Sequence, residues 1–258
     1  MAIRNFRYDG VWMMIKSKSN IPGLNIFILV VALAVISCSS KIPETKEEKY
    51  DAAIEYMDRG SYSLALPLFQ EVIDENPGTR FAAYSYLKLG DANLLSGESN
   101  FDEAETNYRI FLNYSSHSHL VPYVLSRLIE VNYKRNVSSW FGNEYAYSRD
   151  PHHFKKIITE YQRFYFLFPD SLYLEEAKEF LDKSIEALAE HEFIIGNWYF
   201  DNSLYTPAIA RYIYILSNYS NFERKNKVVE KLIIAYRRNQ QPIEADELER
   251  AYHMSMNR

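Results

Sequence analysis

The pattern of a helical hairpin repeat is clearest in residues 60–77, GSYSLALPLFQEVIDENP. Gly60 indicates a turn, and Ala65 and Phe69 follow it one helical turn apart. A small residue lets two helix backbones approach, and the aromatic side chain four positions later fills the groove beside it. Pro77 ends the unit because proline has no N–H to donate within a helix. These residues therefore predict the second helix of a stacked hairpin.

The same spacing recurs along the chain, at intervals of about 34 to 40 residues that are typical of tetratricopeptide repeats. We predict an all-α protein, a right-handed α-solenoid of about five tetratricopeptide-like helical hairpins. Such a solenoid is first of all a binding surface. The repeated positions are Ala53, Ala65 and Phe69; Gly90, Ala104 and Tyr108; Phe154, Ile157 and Tyr161; Gly196, Ala208 and Tyr212; and Tyr236, Pro242 and Ala245.

An apolar run near the N-terminus predicts export. Residues 26–36 are eleven consecutive apolar residues, which as a helix cover about 16 Å, roughly half of a bilayer core. Two lysines precede the run, as in a secretory signal. The chain's single cysteine, Cys38, follows in the sequence Val-Ile-Ser-Cys, which resembles a bacterial lipobox. We predict a lipid on Cys38; the alternative is a chance cysteine beside an ordinary signal peptide.

These features divide the chain into three parts. Residues 1–37 are predicted to be a lipoprotein signal peptide, and residues 38–47 the lipidated cysteine with a flexible tether. Residues 48–258 are predicted to form the solenoid, with two repeats in 48–119 and three in 120–258. Removing residues 1–37 takes away four basic and one acidic side chain and leaves 25 basic and 33 acidic, a net charge of −8. That balance does not predict a nucleic-acid partner.

No arrangement of residues typical of an enzyme stands out, and no cofactor or metal is expected. Four of the six histidines lie in two close pairs, His117 with His119 and His152 with His153. No acidic ligand stands at helical spacing with them, so we interpret them as solvated loop histidines rather than a metal site. There is also no glycine-rich phosphate loop and no nucleophile elbow.

The third repeat contains an insert, residues 136–151, with the sequence NVSSWFGNEYAYSRDP. Trp140, Phe141 and two tyrosines make it too aromatic for an ordinary solvated loop. It either packs back on the solenoid or binds a partner. Asp150 and Pro151 predict the start of the next helix, with aspartate as N-cap and proline at the first helical position.

The insert and the repeats after it resemble the BamD family, lipoproteins of the outer-membrane β-barrel assembly machine. The matching segments are Trp140-Phe141-Gly142, Ser148 to His152, Phe168-Pro169-Asp170-Ser171, Leu188 to Glu192, Trp198-Tyr199 and Arg211. The resemblance implies a non-enzymatic lipoprotein, anchored in the outer membrane and facing the periplasm. Its implied partners are a BamA-like barrel protein, other lipoproteins of the complex, and unfolded outer-membrane proteins.

The resemblance also suggests residues for these contacts. Arg211 matches the family arginine at the BamA contact, and its guanidinium can engage a carboxylate with two hydrogen bonds. In the insert, the partner candidates are Trp140, Phe141, Arg149 and Asp150. The alternatives are another repeat lipoprotein, pilotin-like or cell-wall associated, and an exported lipoprotein hydrolase.

Repeat spacing predicts which residues would face a substrate groove. On the first helices of the first two hairpins, the inward positions include Tyr50, Met57, Tyr84 and Asp91. An extended peptide with terminal aromatic residues could stack on such side chains.

Overall fold

A computed structural model of the chain describes residues 43–97, 100–138 and 151–256, and residues 44–258 form one compact unit. These described residues form helices and no strands. In chain order they are α1 (Lys46–Asp58), α2 (Tyr62–Glu75), α3 (Arg80–Ser96), α4 (Phe101–Tyr114), α5 (Val121–Ser138), α6 (His152–Leu167), α7 (Leu174–Asp201), α8 (Tyr205–Asn218), α9 (Lys225–Arg238) and α10 (Pro242–Met256).

Each helix packs chiefly against the helix before it and the helix after it, so the chain is a row of five antiparallel hairpins. The prediction of an all-α solenoid is confirmed. Because the helices alternate in direction, the start of α1 and the turns between hairpins lie at one edge of the row. The turns within hairpins lie at the opposite edge.

The repeated small and aromatic residues form the core, as the sequence pattern predicts. Nine of the repeated positions have no exposed surface: Ala53, Ala65, Phe69, Ala104, Tyr108, Ile157, Ala208, Tyr212 and Ala245. Tyr161 and Tyr236 are partly buried, and Pro242 is exposed. Burying a large apolar side chain contributes roughly 1.5–3 kcal/mol. The core therefore runs as a continuous seam between the two helices of each hairpin.

Two glycines in this seam make room for tyrosine rings. A β-carbon on Gly90 would lie 2.5 Å from Tyr108, and one on Gly196 would lie 2.8 Å from Tyr212. Real β-carbons do not come so close to a ring, so these two positions require glycine. The second and fourth hairpins thus repeat the same close contact.

Two helices begin one or two residues away from the positions expected from the sequence. The first helix begins at Lys46 rather than at residue 48, because Thr45 and Glu48 form a capping box in which each side chain accepts a hydrogen bond from the other's backbone N–H. At α6, Pro151 takes the N-cap position and the helix begins at His152. The sequence pattern predicted Asp150 as the N-cap and Pro151 at the first helical position.

The helix α7 is twice as long as most of its neighbours, at 28 residues. Its first half packs with α6 through Ala177, Ala187 and Leu188. Its second half packs with α8 and α9 through Phe193 and Phe200. One continuous helix therefore belongs to two successive cores.

A cluster of ion pairs joins the second and third hairpins. The carboxylate of Glu105 on α4 accepts hydrogen bonds from Arg109, Arg135 and Lys156, which lie on α4, α5 and α6. Arg109 also binds Glu160 at 2.7 Å. Burial alone would raise the pKa of Glu105, but its three cationic partners lower it to about 2. The charged form of Glu105 is therefore strongly favoured in the folded protein.

Candidate functional site: a tyrosine-lined groove in the first three hairpins

The four predicted groove residues line two cavities on the first three hairpins. Tyr50 and Tyr84 line a cavity of about 510 Å³, and Met57 and Asp91 line a second of about 290 Å³. Lys88 and Tyr123 line both cavities, so the two adjoin. We call this pair of cavities the tyrosine groove. The remaining lining residues are Leu87, His119, Leu120 and Tyr173 in the larger cavity, and Ile54, Asp58, Leu95 and Arg127 in the smaller.

Asp91 holds the floor of the tyrosine groove together. Its Oδ1 accepts hydrogen bonds from the hydroxyls of Tyr108, at 2.9 Å, and Tyr123, at 2.8 Å. Its Oδ2 lies 3.0 Å from Nζ of Lys88. Only 5% of Asp91 is exposed. Its carboxylate therefore joins α3, α4 and α5 and orients Tyr123 and Lys88, which line both cavities.

The phenols of Tyr50, Tyr108 and Tyr123 stay neutral at physiological pH. Burial, with a smaller effect from the negative charge of Asp91, raises the pKa of Tyr50 to about 12. The same two causes raise the pKa values of Tyr108 and Tyr123. A neutral phenol offers an apolar ring and one polar tip, which suits stacking against an aromatic side chain.

Positive charge lies beside these rings. The guanidinium of Arg127 sits 5.3 Å from the ring centroid of Tyr123 and forms ion pairs with Glu130 and Glu176. Lys88 is a third exposed at its side chain and has Asp91 as its partner. The groove therefore combines aromatic walls with a cation that solvent or a ligand can reach.

Sequence reasoning missed several groove residues. Tyr123 lies on the first helix of the third hairpin, so extending the inward register by one repeat could have found it. Tyr173 comes from the turn between α6 and α7, and its ring lies 5.5 Å from that of Tyr123. No repeat register marks a turn residue, so Tyr173 carries no comparable signal.

Arg211 lies on α8 in the fourth hairpin, outside the tyrosine groove. Its Nη1 forms an ion pair with Glu192 of α7 at 2.7 Å, and about 41% of its side chain is exposed. The guanidinium is therefore held on the surface by one carboxylate while part of it faces solvent. The insert candidates Trp140, Phe141, Arg149 and Asp150, and Cys38, lie outside the described residues.

The histidines do not form a metal site within the part of the chain that the structure describes, where no cluster of three or more metal-ligating side chains occurs. His117 and His119 are exposed in the turn between α4 and α5. His152 and His153 lie together at the start of α6, with ring centroids 5.5 Å apart. Burial and the charge of Arg135 lower the pKa of His153.

A larger cavity, of about 970 Å³, lies beside the middle of α7. Its charged side chains largely form ion pairs and hydrogen bonds within the cavity wall. Arg224 pairs with Glu190, and Glu186 accepts a hydrogen bond from the backbone N–H of Glu223. More charged side chains line this cavity than line the tyrosine groove, and fewer aromatic ones do.

No helix among residues 43–97, 100–138 and 151–256 combines the length and the apolar character needed to cross a membrane.

The sequence matches the family YfiO, described as an outer membrane lipoprotein, over residues 43–250. It is 21% identical over 231 residues to the outer membrane protein assembly factor BamD of Caulobacter vibrioides (strain ATCC 19089 / CIP 103742 / CB 15), covering 86% of this chain and 72% of that protein.

Among solved structures, the crystal structure of MamA protein aligns with 81% of this chain and 90% of its own, at 16% identity and a TM-score of 0.31. The family match and the BamD relative confirm the resemblance found in the sequence, and with it the non-enzymatic class. The chain belongs to the YfiO family of outer membrane lipoproteins.

Proposed function

We propose that this protein is a lipid-anchored subunit of the outer-membrane β-barrel assembly machinery, which binds unfolded barrel proteins and a BamA-like partner. The observation that carries the proposal is the tyrosine groove. It gathers Tyr50, Met57, Tyr84 and Asp91 from two different helices along the first hairpins.

The proposed ligand of the groove is an extended C-terminal segment of an unfolded outer-membrane protein that ends in an aromatic residue. Tyr50, Tyr84 and Tyr123 provide ring surface with little side-chain entropy to lose on binding. Lys88 lies where both cavities meet and offers its ammonium group to the terminal carboxylate. Aromatic stacking and one charge contact together suit a chain end better than the middle of a chain.

The proposed anchor is the lipid on Cys38, which would retain the protein at the periplasmic face of the outer membrane. The mature chain carries a net charge of −8, since residues 38–258 hold 25 basic and 33 acidic side chains. Electrostatic attraction to anionic head groups would therefore not hold it at a membrane. We therefore expect the acyl chains, rather than a basic patch, to hold it there.

The proposed contact with the BamA-like partner includes Arg211. The exposed part of its guanidinium could engage a partner carboxylate, with Glu192 holding the side chain in place. The insert candidates Trp140, Phe141, Arg149 and Asp150 are proposed as further partner residues. Other assembly lipoproteins would join the same complex.

The groove is tested by fluorescence anisotropy with a labelled peptide that ends a barrel strand in phenylalanine. We expect Tyr84→Ala to weaken binding about tenfold. The matched control is Tyr214→Ala, since Tyr214 is an exposed tyrosine of α8 outside both cavities. Equal binding by wild type and Tyr84→Ala would remove the groove from the proposal.

The role of Lys88 is tested with the same peptide in acid and amide forms. Wild type should prefer the free carboxylate, and Lys88→Gln should bind both forms alike.

The whole assignment is tested by affinity purification from envelope membranes. Recovery of the protein without any BamA-like barrel would contradict it.

A further inference from the structure

The turn between α6 and α7 exposes large apolar side chains. Phe166 is 83% exposed and Leu172 is 94% exposed, with Tyr165 and Leu167 about half exposed beside them. From residue 164 to residue 173 the sequence is FYFLFPDSLY, with Asp170 as its single charged side chain. We call residues 165–173 the apolar turn. Such exposure in one short segment marks a surface with something to contact.

The apolar turn lies at the edge of the solenoid where the tether enters. Nζ of Lys46, the first residue of α1, lies 5.4 Å from the ring centroid of Phe81 at the start of α3. Tyr50 of α1 and Tyr173 of the apolar turn line the same cavity. The start of α1 and the apolar turn are therefore on the same edge of the row of hairpins.

The chain between Cys38 and the start of α1 is short. Six residues lie between Cys38 and the N-cap Thr45, and the seven fully extended steps that join the two span at most about 25 Å. A lipid on Cys38 would therefore keep the start of α1 within that distance of the membrane surface, and the apolar turn lies at the same edge of the row.

We propose that the apolar turn is a second membrane contact, which inserts Phe166 and Leu172 into the interfacial region of the phospholipid leaflet that holds the lipid anchor. This inference rests on the lipid anchor of the proposed function. Aromatic side chains favour the level of the head groups, and Tyr165 and Tyr173 flank the two residues that insert. The contact orients the solenoid relative to the membrane, whereas the acyl chains supply most of the affinity.

A second copy of the chain is a poorer occupant of the apolar turn. Stable interfaces bury about 800 Å² on each partner, far more than two or three side chains of one turn provide. The membrane requires no such matching surface. Because the mature protein is acidic, we expect contact with zwitterionic lipid and little dependence on salt.

The test uses the full lipidated chain in phosphatidylcholine vesicles. Cys38 is the sequence's single cysteine, so Leu172→Cys has one free thiol once Cys38 carries its lipid. That thiol is labelled with the environment-sensitive dye NBD, and nitroxide lipids are added as quenchers. The matched control is Ile243→Cys, because Ile243 is 70% exposed and lies in the first turn of α10, at the opposite edge. At that edge the start of α8 meets the end of α9, where Thr206 donates a hydrogen bond to Asn239.

We expect quenching of the Leu172 probe to exceed that of the Ile243 probe by about threefold or more. Equal quenching in protein that floats with the vesicles would overturn this inference and leave the anchor intact. Failure of both proteins to float would instead contradict the lipid anchor. Quenching by a dye-labelled second copy without vesicles would assign the apolar turn to self-association and overturn the membrane contact. The double variant Phe166→Ser and Leu172→Ser tests the orientation of the vesicle-bound protein. Fluorescence energy transfer between α3 and the bilayer should report a larger distance in this variant than in wild type.

Discussion

The ring of Tyr108 lies so close to Gly90 that a β-carbon on the glycine would approach Tyr108 Cε1 to 2.5 Å. The hydroxyl of the same tyrosine donates to Asp91, the next residue after the glycine. The fourth hairpin repeats this arrangement, because Tyr212 packs on Gly196 and donates to Asn197 at 2.8 Å. Packing of the hairpin and positioning of the groove floor thus depend on one tyrosine.

Gly90→Ala should destabilise the protein by about 1–3 kcal/mol, because the added methyl group must displace the Tyr108 ring. Chemical denaturation measures the loss. The double mutant with Tyr108→Leu should lose less stability than the sum of the losses in the two single mutants, since the smaller side chain relieves the clash. Strict additivity would show that the ring and the glycine do not interact.

Asp91→Ala should cost about 2–4 kcal/mol, because two tyrosine hydroxyls and Lys88 lose their shared acceptor. Asp91→Asn keeps one oxygen for the hydroxyls and should cost about 1 kcal/mol. Thermal unfolding of the two variants checks the order. A more harmful asparagine would mean that the negative charge, rather than the hydrogen bonds, supports the groove floor.

The cluster around Glu105 predicts a loss of stability in acid. Its pKa in the folded protein, about 2, lies below the ordinary value of 4.5. The stabilisation is therefore complete above about pH 5 and disappears as the pH falls towards 2. At pH 7 it amounts to about 2–3 kcal/mol. Glu160 does not share this behaviour, because burial raises its pKa despite the neighbouring Arg109.

Urea unfolding at pH 7 and pH 3 tests this prediction with Glu105→Gln. The gap in unfolding free energy between wild type and variant should be large at pH 7 and smaller at pH 3. Glu103→Gln is the control, since Glu103 is an exposed carboxylate on the same helix. A gap that does not change with pH would show that Glu105 contributes nothing through its charge.

Arg211→Glu should weaken co-purification with a BamA-like barrel by about tenfold or more and leave the solenoid folded. The ion pair with Glu192 is partly exposed, and such pairs contribute about 0–1 kcal/mol. Glu192→Gln is the matched control, because it removes the same pair but keeps the guanidinium. Equal loss of complex in both variants would mean that the ion pair, and not a partner contact, is what matters.

Cys38→Ser should release the mature protein from membranes in a fractionation experiment. The apolar turn cannot retain it, since even one myristoyl chain gives only marginal, reversible binding. Persistent sedimentation of the serine variant with envelope membranes would argue against lipid attachment at this residue.

The seam of the solenoid was predictable because small and aromatic residues recur at fixed spacing. Ala65 and Phe69, the pair that indicated the first hairpin, are both fully buried. The groove positions on α1 and α3 followed from the same register. A repeat pattern fixes which face of a helix is inward. Four candidate groove residues could therefore be named from the sequence.

Other features had no signal in the sequence. Glu105 and Lys156 meet although 51 residues separate them, because three successive helices bring them together. The length of α7 was also hidden, since its 28 residues hold one glycine and no proline to indicate where a hairpin begins. The exposure of Phe166 runs against its apolar character, so composition alone places it in the core.

The unbroken α7 has a consequence for how the repeats unfold. In most solenoids each unit exchanges stability only with its neighbours, and ends can unravel one hairpin at a time. A helix of 28 residues, about 42 Å long, ties Ala177 and Leu188 in one core to Phe193 and Phe200 in the next. The third and fourth hairpins should therefore exchange amide hydrogens as one cooperative block, while α1 and α10 fray independently of it.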